Sequence, residues 1–303
     1  ENTTDKEILL PVKFTQPKVT TDDVNAKLFK DVLASSSTSF STAGQNNYNR
    51  GVNIGIAASK INGKILAPGE EFSFNNVVGP RTVANGFKTA KEYVNGKIVD
   101  GIGGGVCQVS STLYSAVLFA DLETVERHNH IFTVSYIPLG RDAAVSYNES
   151  DFRFKNNTNW PIKIVSSVKN NSVYFTLYGT KEEPSKTVEI KHVQVGSKPS
   201  PVKYVDDPNL EEGQTVVIQS GYTGYTIDTY KIVKVNGNVV SDNKIHRSTY
   251  IPYETIIKRG TKKAAKSAET HSPVPETSLL PASDPTPQPP LPGEVVDETL
   301  VSE

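Results

Sequence analysis

The sequence predicts an α+β domain, in which a helix with an N-terminal cysteine packs on a mainly antiparallel sheet, then a small all-β domain and a disordered Pro-rich tail. Three observations support this prediction. The first part of the chain combines a stretch with apolar residues at helical spacing and several strand-like runs. Short runs of alternating polar and apolar residues fill residues 187–262. The final stretch holds eight of the 19 prolines. The length of 303 residues also suggests about two domains, at roughly 150 residues each.

The composition excludes several classes of protein. Lys and Arg (32) nearly balance Asp and Glu (33), and no segment has the basic stripe of a nucleic-acid-binding protein. One cysteine excludes a disulfide framework and a multi-cysteine zinc site. No apolar run approaches the ~18 residues that span a bilayer. Because the chain starts at Glu1 without a methionine, we expect a processed or truncated exported protein whose membrane anchor lies outside it.

The first domain combines helices with a sheet that lies mainly in its C-terminal part. Residues 53–62 repeat apolar side chains at helical spacing, and Asn62-Gly63 then ends the helix. Strand-like runs follow at 131–137, 143–147, 152–154, 162–168 and 173–178. We place the boundaries at 1–44 for an N-terminal lead-in, 45–183 for the α+β domain, 187–262 for the β domain and 263–303 for the tail.

The β domain and the tail differ sharply in composition. Residues 187–262 alternate polar and apolar side chains between turn glycines, and Asn236-Gly237 is a strong type I′ hairpin signal. From Lys263 onward no aromatic residue occurs, and acidic residues outnumber basic ones by seven to two. Such a segment cannot bury enough apolar surface to offset its conformational entropy, so we predict a disordered spacer.

Three glycines precede the only cysteine, in Gly103-Gly104-Gly105-Val106-Cys107. Apolar residues follow at helical spacing, at 109, 113, 116, 117 and 120. Cys107 is therefore predicted at a helix N-terminus, where the dipole and free N–H groups stabilise a thiolate. Those groups and the turn at Gly104 and Gly105 can also bind an oxyanion. The alternative is an inert buried thiol, which the polar neighbours Ser110 and Ser111 disfavour.

A thiol nucleophile needs a base, and His128 and His130 follow about 20 residues later. A helix with an N-terminal Cys and then a strand with a His is the chain order of papain-like acyl-transfer enzymes. A surface histidine pair and a partial metal site are the alternatives, and with one Cys and no other nearby His we favour a base. The orienting group stays open between Asp142 and Asp151, because the loop after residue 137 decides which carboxylate lies near His130.

The residues around Cys107 are part of a longer series of motifs. The series comprises Asn49-Arg50, Asn53-Ile54, Ile61-Asn62-Gly63, Pro68-Gly69-Glu70, Phe72-Ser73-Phe74-Asn75, Val78-Gly79-Pro80-Arg81-Thr82, 103–114, Glu126-Arg127 and 151–156. Over about 45–180 it resembles the VanW domain. Residues 187–262 resemble the five-glycine β domain that often accompanies cell-wall proteins. The lead-in resembles the end of an upstream wall-associated region.

The resemblance implies a function, because some clostridial VanW members with this two-domain layout are understood to be L,D-transpeptidases. It implies peptidoglycan cross-linking on the extracellular face of a Gram-positive envelope, with stem peptides as partners and no metal or cofactor. The familiar Ser/Thr-His-Gly-Cys signature of such enzymes is absent, and the family's His-Ser becomes His130-Ile131. A non-enzymatic wall-binding protein and an L,D-carboxypeptidase are the alternatives.

The resemblance also completes the set of expected site residues. It implies Cys107 as nucleophile with His130 as base, while the choice of Asp142 or Asp151 as the orienting group rests on the loop after residue 137. The expected substrate-binding residues are Arg81, Gly104, Gly105, Ser110, Ser111, Arg127 and His128. Among these, Arg81 and Arg127 are candidates for binding stem-peptide carboxylates, with surface salt bridges as the alternative.

Overall fold

A computed structural model describes residues 25, 28–94 and 97–263. The predicted tail, apart from Lys263, and most of the lead-in lie outside the described residues. The elements of the first domain are β1 Asp31–Ser39, α1 Gly44–Ile61, β2 Ile65–Leu66, β3 Glu71–Ser73, α2 Phe74–Val78, β4 Thr89–Val94, β5 Lys97–Ile102, α3 Val106–Phe119, β6 Glu123–Glu126, β7 Arg153–Lys155, β8 Ile162–Lys169 and β9 Ser172–Gly179. The second comprises β10 Lys186–Lys198, β11 Val202–Glu211, β12 Thr215–Gln219, β13 Gly224–Val235, β14 Asn238–Tyr250 and β15 Thr255–Lys262. The described chain is thus mostly β with few helices.

A four-stranded antiparallel sheet in the order β1-β9-β8-β2 supports the first domain. Helix α3 packs on β1 and β9, and α1 packs on β8 and on α3. Strand β1 lies in the segment predicted as a lead-in, but it pairs along β9 from Asp31 to Ser39. Residues 31–39 therefore extend the sheet that supports α3.

Helix α3 is buried on all sides, which is the pattern expected of a helix inside a domain core. Its apolar residues Val109, Leu113 and Val117 have no exposed surface. The hydroxyl of Thr112 is satisfied within the helix, since its Oγ1 donates to the Gln108 carbonyl at 2.6 Å. A helix fixed this firmly holds its first turn, with Cys107, in a defined position.

Strands β3, β7 and β6 form a second antiparallel sheet in the order β3-β7-β6. The long segment 127–152 connects β6 to β7. We predicted strands at 131–137 and 143–147, but this prediction was wrong. The segment is irregular, with two isolated bridges, one between His128 and Ala144 and one between Ser146 and Ser150. Its backbone is held by buried side chains and by the second domain, as in the bond from Ile251 N to the Ile131 carbonyl.

The second domain contains two three-stranded sheets, in the orders β10-β13-β14 and β11-β15-β12. The predicted hairpin is confirmed, because Asn236 and Gly237 both have positive φ and connect the paired residues Val235 and Asn238. Leu139 of the irregular segment packs in a small core with Ile227 and Tyr250. Within the described residues, no helix is long and apolar enough to cross a membrane.

Candidate active site

Cys107 is the second residue of α3 and is half-buried. Gly105 caps the helix with a φ of 105°, and Gly103 has a φ of 104°, a left-handed region that favours glycine. A Cβ on Gly104 would lie 2.7 Å from the Lys91 carbonyl. Glycine is therefore favoured at 103 and 105 by the backbone conformation and at 104 by the close approach of the Lys91 carbonyl. The three residues lead directly into the first turn of α3.

His130 connects the thiol to a carboxylate. Its imidazole lies close enough to the Cys107 thiol to lower the pKa of that thiol, and its Nδ1 lies 2.7 Å from Oδ2 of Asp142. Because Asp142 engages Nδ1, Nε2 is the nitrogen left for the thiol; it also lies 3.4 Å from Oη of Tyr136. The three groups thus form a continuous Cys–His–Asp array.

Asp142 is fully buried and accepts hydrogen bonds on both oxygens. Oδ2 accepts from the backbone N–H of His130 at 2.7 Å as well as facing its ring. Oδ1 lies 2.9 Å from Nη2 of Arg127, whose side chain is 5% exposed. A buried carboxylate satisfied in this way holds a fixed orientation.

The electrostatics favour a charged pair. Burial opposes ionisation of Cys107, but its hydrogen bond to His130 and the charges of His130 and Arg81 lower the thiol pKa below its usual value. Burial favours a neutral His130, yet Asp142 and Cys107 raise its pKa to about 10. Burial also opposes charge on Asp142, while His130 and Arg127 hold its pKa well below the usual range. These interactions therefore favour a thiolate–imidazolium pair over the neutral thiol and imidazole.

Two arginines flank the glycine turn before Cys107. A Cβ on Gly103 would lie 2.9 Å from Cβ of Arg81, and one on Gly105 would lie 2.7 Å from Cγ of Arg50. Both guanidinium groups interact electrostatically with Cys107. Sequence reasoning found Arg81, but it gave no role to Arg50, although Arg50 stands in one of the motifs.

Tyr136 was also missed by the sequence reasoning. The guanidinium carbon of Arg50 lies 5.8 Å from the centre of its ring, and its hydroxyl approaches His130. Nothing local marks this tyrosine, because it lies in the irregular segment that we predicted as a strand.

The other predicted carboxylate lies elsewhere. Asp151 accepts hydrogen bonds from Ser73 Oγ at 2.5 Å and from Asn75 N at 2.8 Å, next to the start of α2. It lines an open cleft of about 240 Å³ with Asn75 and Tyr147. Arg81 borders this cleft, because its guanidinium donates to Asn75 Oδ1 at 2.6 Å and lies over the Tyr147 ring.

The structure places the remaining predicted residues around the array. Ser110 and Ser111 are fully buried and fasten α3 to the irregular segment: Ser110 Oγ donates to the Ala143 carbonyl at 2.6 Å, and Ala143 N donates to Ser111 Oγ at 2.9 Å. The His128 side chain is exposed, with Nε2 3.1 Å from Glu126 Oε1. Among the described residues, no group of three or more His, Cys, Asp and Glu could hold a metal ion.

Comparison with known families matches two regions of the chain. Residues 49–178 match the family described as VanW like protein, and residues 187–262 match the family described as G5 domain. The chain carries a VanW-like domain followed by a G5 domain.

Two curated relatives match the VanW-like region. Uncharacterized protein YoaR of Bacillus subtilis (strain 168) is 46% identical over 134 residues, covering 44% of this chain and 44% of that protein. Vancomycin B-type resistance protein VanW of Enterococcus faecalis (strain ATCC 700802 / V583) is 27% identical over 139 residues, covering 44% of this chain and 50% of that protein. The matches therefore span half or less of each relative.

Two solved structures resemble part of the chain. The IgA1 protease G5 domain is 25% identical and covers 27% of this chain and 100% of that chain, with a TM-score of 0.19. HP0197-G5 is 23% identical and covers 25% of this chain and 97% of that chain, with a TM-score of 0.17. Because both TM-scores are low, the fold of the G5 domain is described from the strands of this chain alone.

The G5 domain contacts the array through β14. Tyr250 Oη donates to Oδ1 of Asp142 at 2.5 Å, and Arg127 Nη1 donates to Ser248 Oγ at 2.8 Å. His246 Nε2 lies 2.8 Å from Oη of Tyr114 on α3. The carboxylate next to His130 is therefore enclosed by both domains.

Proposed function

We propose that this protein is a peptidoglycan L,D-transpeptidase, which forms 3→3 cross-links through a thioester on Cys107. The observation that carries the proposal is the contact of one imidazole, that of His130, with both the thiol and the buried carboxylate of Asp142. Cysteine acyl-transfer enzymes use a nucleophile, a base and an orienting group in this way. The pairing of VanW-like and G5 domains supports the cell wall as the setting.

In the first half-reaction, the Cys107 thiolate attacks the carbonyl of the third residue in a tetrapeptide stem. The resulting tetrahedral oxyanion would be stabilised by backbone N–H groups of the glycine turn and the first turn of α3. The imidazolium of His130 protonates the amine of the terminal D-alanine. The C–N bond then breaks, D-alanine leaves and a thioester remains on Cys107.

In the second half-reaction, a side-chain amine of another stem attacks the thioester. Neutral His130 accepts the proton of that amine, and the C–S bond breaks to regenerate the thiolate–imidazolium pair. The product is an amide between the third residues of two stems. The chemistry needs no cofactor, because the thiol and the imidazole supply the nucleophile and both proton transfers.

The arginines have different roles in this proposal. Arg81 and Arg50 flank the glycine turn and would attract the carboxylates of the stem peptide, which are anionic near neutral pH. Arg127 is almost fully buried and already engages Asp142, so we assign it to holding that carboxylate rather than to binding substrate. His128 lies at the surface beside Glu126 and would contact substrate only at the rim.

The proposed location is the extracellular face of the cell envelope, where peptidoglycan stem peptides are the partners. A defined disaccharide-tetrapeptide and mass spectrometry of the products test the activity. We expect the intact chain to give a 3→3 dimer and free D-alanine, and Cys107→Ala to give neither. Persistence of the dimer with Cys107→Ala would contradict the proposal.

The same assay separates the two alternative functions. Trimmed monomer without dimer would indicate an L,D-carboxypeptidase, in which water replaces the acceptor amine at the thioester. Unchanged substrate, together with retained binding to peptidoglycan, would indicate a non-enzymatic wall-binding protein.

A further inference from the structure

Three alternate residues of β14 face the VanW-like domain. Side chains two residues apart lie on the same face of a strand, so His246, Ser248 and Tyr250 share one face. Each makes a polar contact across the domain boundary, to Tyr114, to Arg127 and to Asp142 respectively. The contacts converge on the carboxylate and the arginine that surround His130.

Tyr250 makes two contacts with the segment that carries Asp142. Its hydroxyl donates to Oδ1 of Asp142 and accepts a hydrogen bond from the backbone N–H of Gly140 at 2.7 Å. The side chain is 2% exposed, so water does not compete for these bonds. Gly140 itself lies close against β13, since a Cβ there would be 2.4 Å from Thr229 Oγ1.

We propose that Tyr250 of the G5 domain is a positioning residue for Asp142, so that the G5 domain completes the active site of the VanW-like domain. This inference rests on the proposed function of the Cys107–His130–Asp142 array. Tyr250 and Arg127 hold Oδ1 of the carboxylate, which leaves Oδ2 directed at His130.

Removal of the Tyr250 hydroxyl would leave two buried polar groups without a partner, the Gly140 N–H and one acceptor site on Asp142. The carboxylate could then turn away from His130 and stabilise the imidazolium less, which would raise the pKa of Cys107. The titratable groups that face Asp142 are Tyr114, Arg127, His130, Tyr136, His246 and Tyr250. Tyr250→Phe leaves the other five in place.

The test compares Tyr250→Phe with Tyr225→Phe in the full chain. Tyr225 pairs with Tyr250 across β13 and β14 and packs on the same small core, but it makes no contact with Asp142 among the described hydrogen bonds. Cys107 is the only cysteine, so the rate of iodoacetamide alkylation against pH reports its thiolate directly. This measurement does not depend on transpeptidase activity.

We expect Tyr250→Phe to move the alkylation profile to higher pH, with a rate about tenfold lower on the acid side of the profile. We also expect a roughly tenfold lower kcat with little change in KM, the equivalent of about one hydrogen bond. Tyr225→Phe should match the wild type in both measurements. A wild-type alkylation profile for Tyr250→Phe would overturn the inference.

The two proposals can fail separately. A shifted alkylation profile in a chain that cross-links no stem peptide would support positioning by Tyr250 and reject the transpeptidase. If Tyr250→Phe does not fold, Ser248→Ala is tested instead. This substitution changes a smaller side chain and removes the hydrogen bond that Arg127 donates to Ser248. Its alkylation profile should shift in the same direction, and an unchanged profile would then overturn the inference.

Discussion

The Nδ1 atom of His130 lies 2.7 Å from Oδ2 of Asp142, a carboxylate with no exposed surface. This contact leaves Nε2 of His130 to face Cys107. Through His130 it connects Cys107, at the start of α3, to Asp142, which lies at the boundary between the two domains. The predictions below follow from this relationship and from the glycine turn that presents the thiol.

Asp142→Asn should lower kcat/KM for cross-linking by on the order of a thousandfold, because the amide cannot stabilise the imidazolium or keep its tautomer. Asp151→Asn is the matched control, since Asp151 bonds to Ser73 and to the backbone of Asn75 instead. We expect Asp151→Asn to cost about 1 kcal/mol of stability and to keep activity within a few-fold. A larger loss of activity in Asp151→Asn than in Asp142→Asn would indicate that Asp151 is the orienting group.

The free energy of unfolding should depend on pH through the thiolate–imidazolium pair. The raised pKa of His130 stabilises the folded state below 6.5, and this contribution is lost as pH rises through about 10. The lowered pKa of Cys107 stabilises it above 9.0, and this contribution is lost as pH falls through the lowered value. The two contributions therefore change in opposite directions as pH rises, since that of His130 falls between 6.5 and about 10 while that of Cys107 increases up to 9.0.

Urea unfolding of the wild type and of His130→Gln measures this effect at several pH values. The difference in unfolding free energy should be lost as pH rises through about 10, where His130 loses its proton in the folded state. A difference that keeps growing above pH 10 would show that the two groups are not paired.

Gly105→Ala should destabilise the fold by about 2–4 kcal/mol, because it adds positive-φ strain and a contact with Arg50. Gly63→Ala separates the two causes, since Gly63 also has a positive φ but a Cβ there meets nothing within 4 Å. We expect about 1 kcal/mol for this control. Equal losses in thermal or urea unfolding would mean that the contact with Arg50 has no effect.

Local patterns predicted the parts of the structure that depend on local geometry. The apolar spacing after Cys107 predicted α3, and Asn236-Gly237 predicted the hairpin between β13 and β14. Both depend on residues close together in sequence, where periodicity and turn preferences act.

The orienting group and its partners depend on contacts that no local pattern encodes. Asp142 and Tyr250 are 108 residues apart in the chain, and they meet because β14 packs against the irregular segment. That segment looked strand-like by composition, but buried hydrogen bonds to Asp142 replace the ladder of a sheet. Hence the sequence left Asp142 and Asp151 as alternatives.

The most direct test of the central claim is the capture of the acyl-enzyme. Intact-protein mass spectrometry after a brief incubation with disaccharide-tetrapeptide should show the chain carrying the stem less its D-alanine. Peptide mapping should place the thioester on Cys107, and hydroxylamine should release it. An unmodified Cys107 in a sample that nevertheless forms 3→3 dimers would contradict the account.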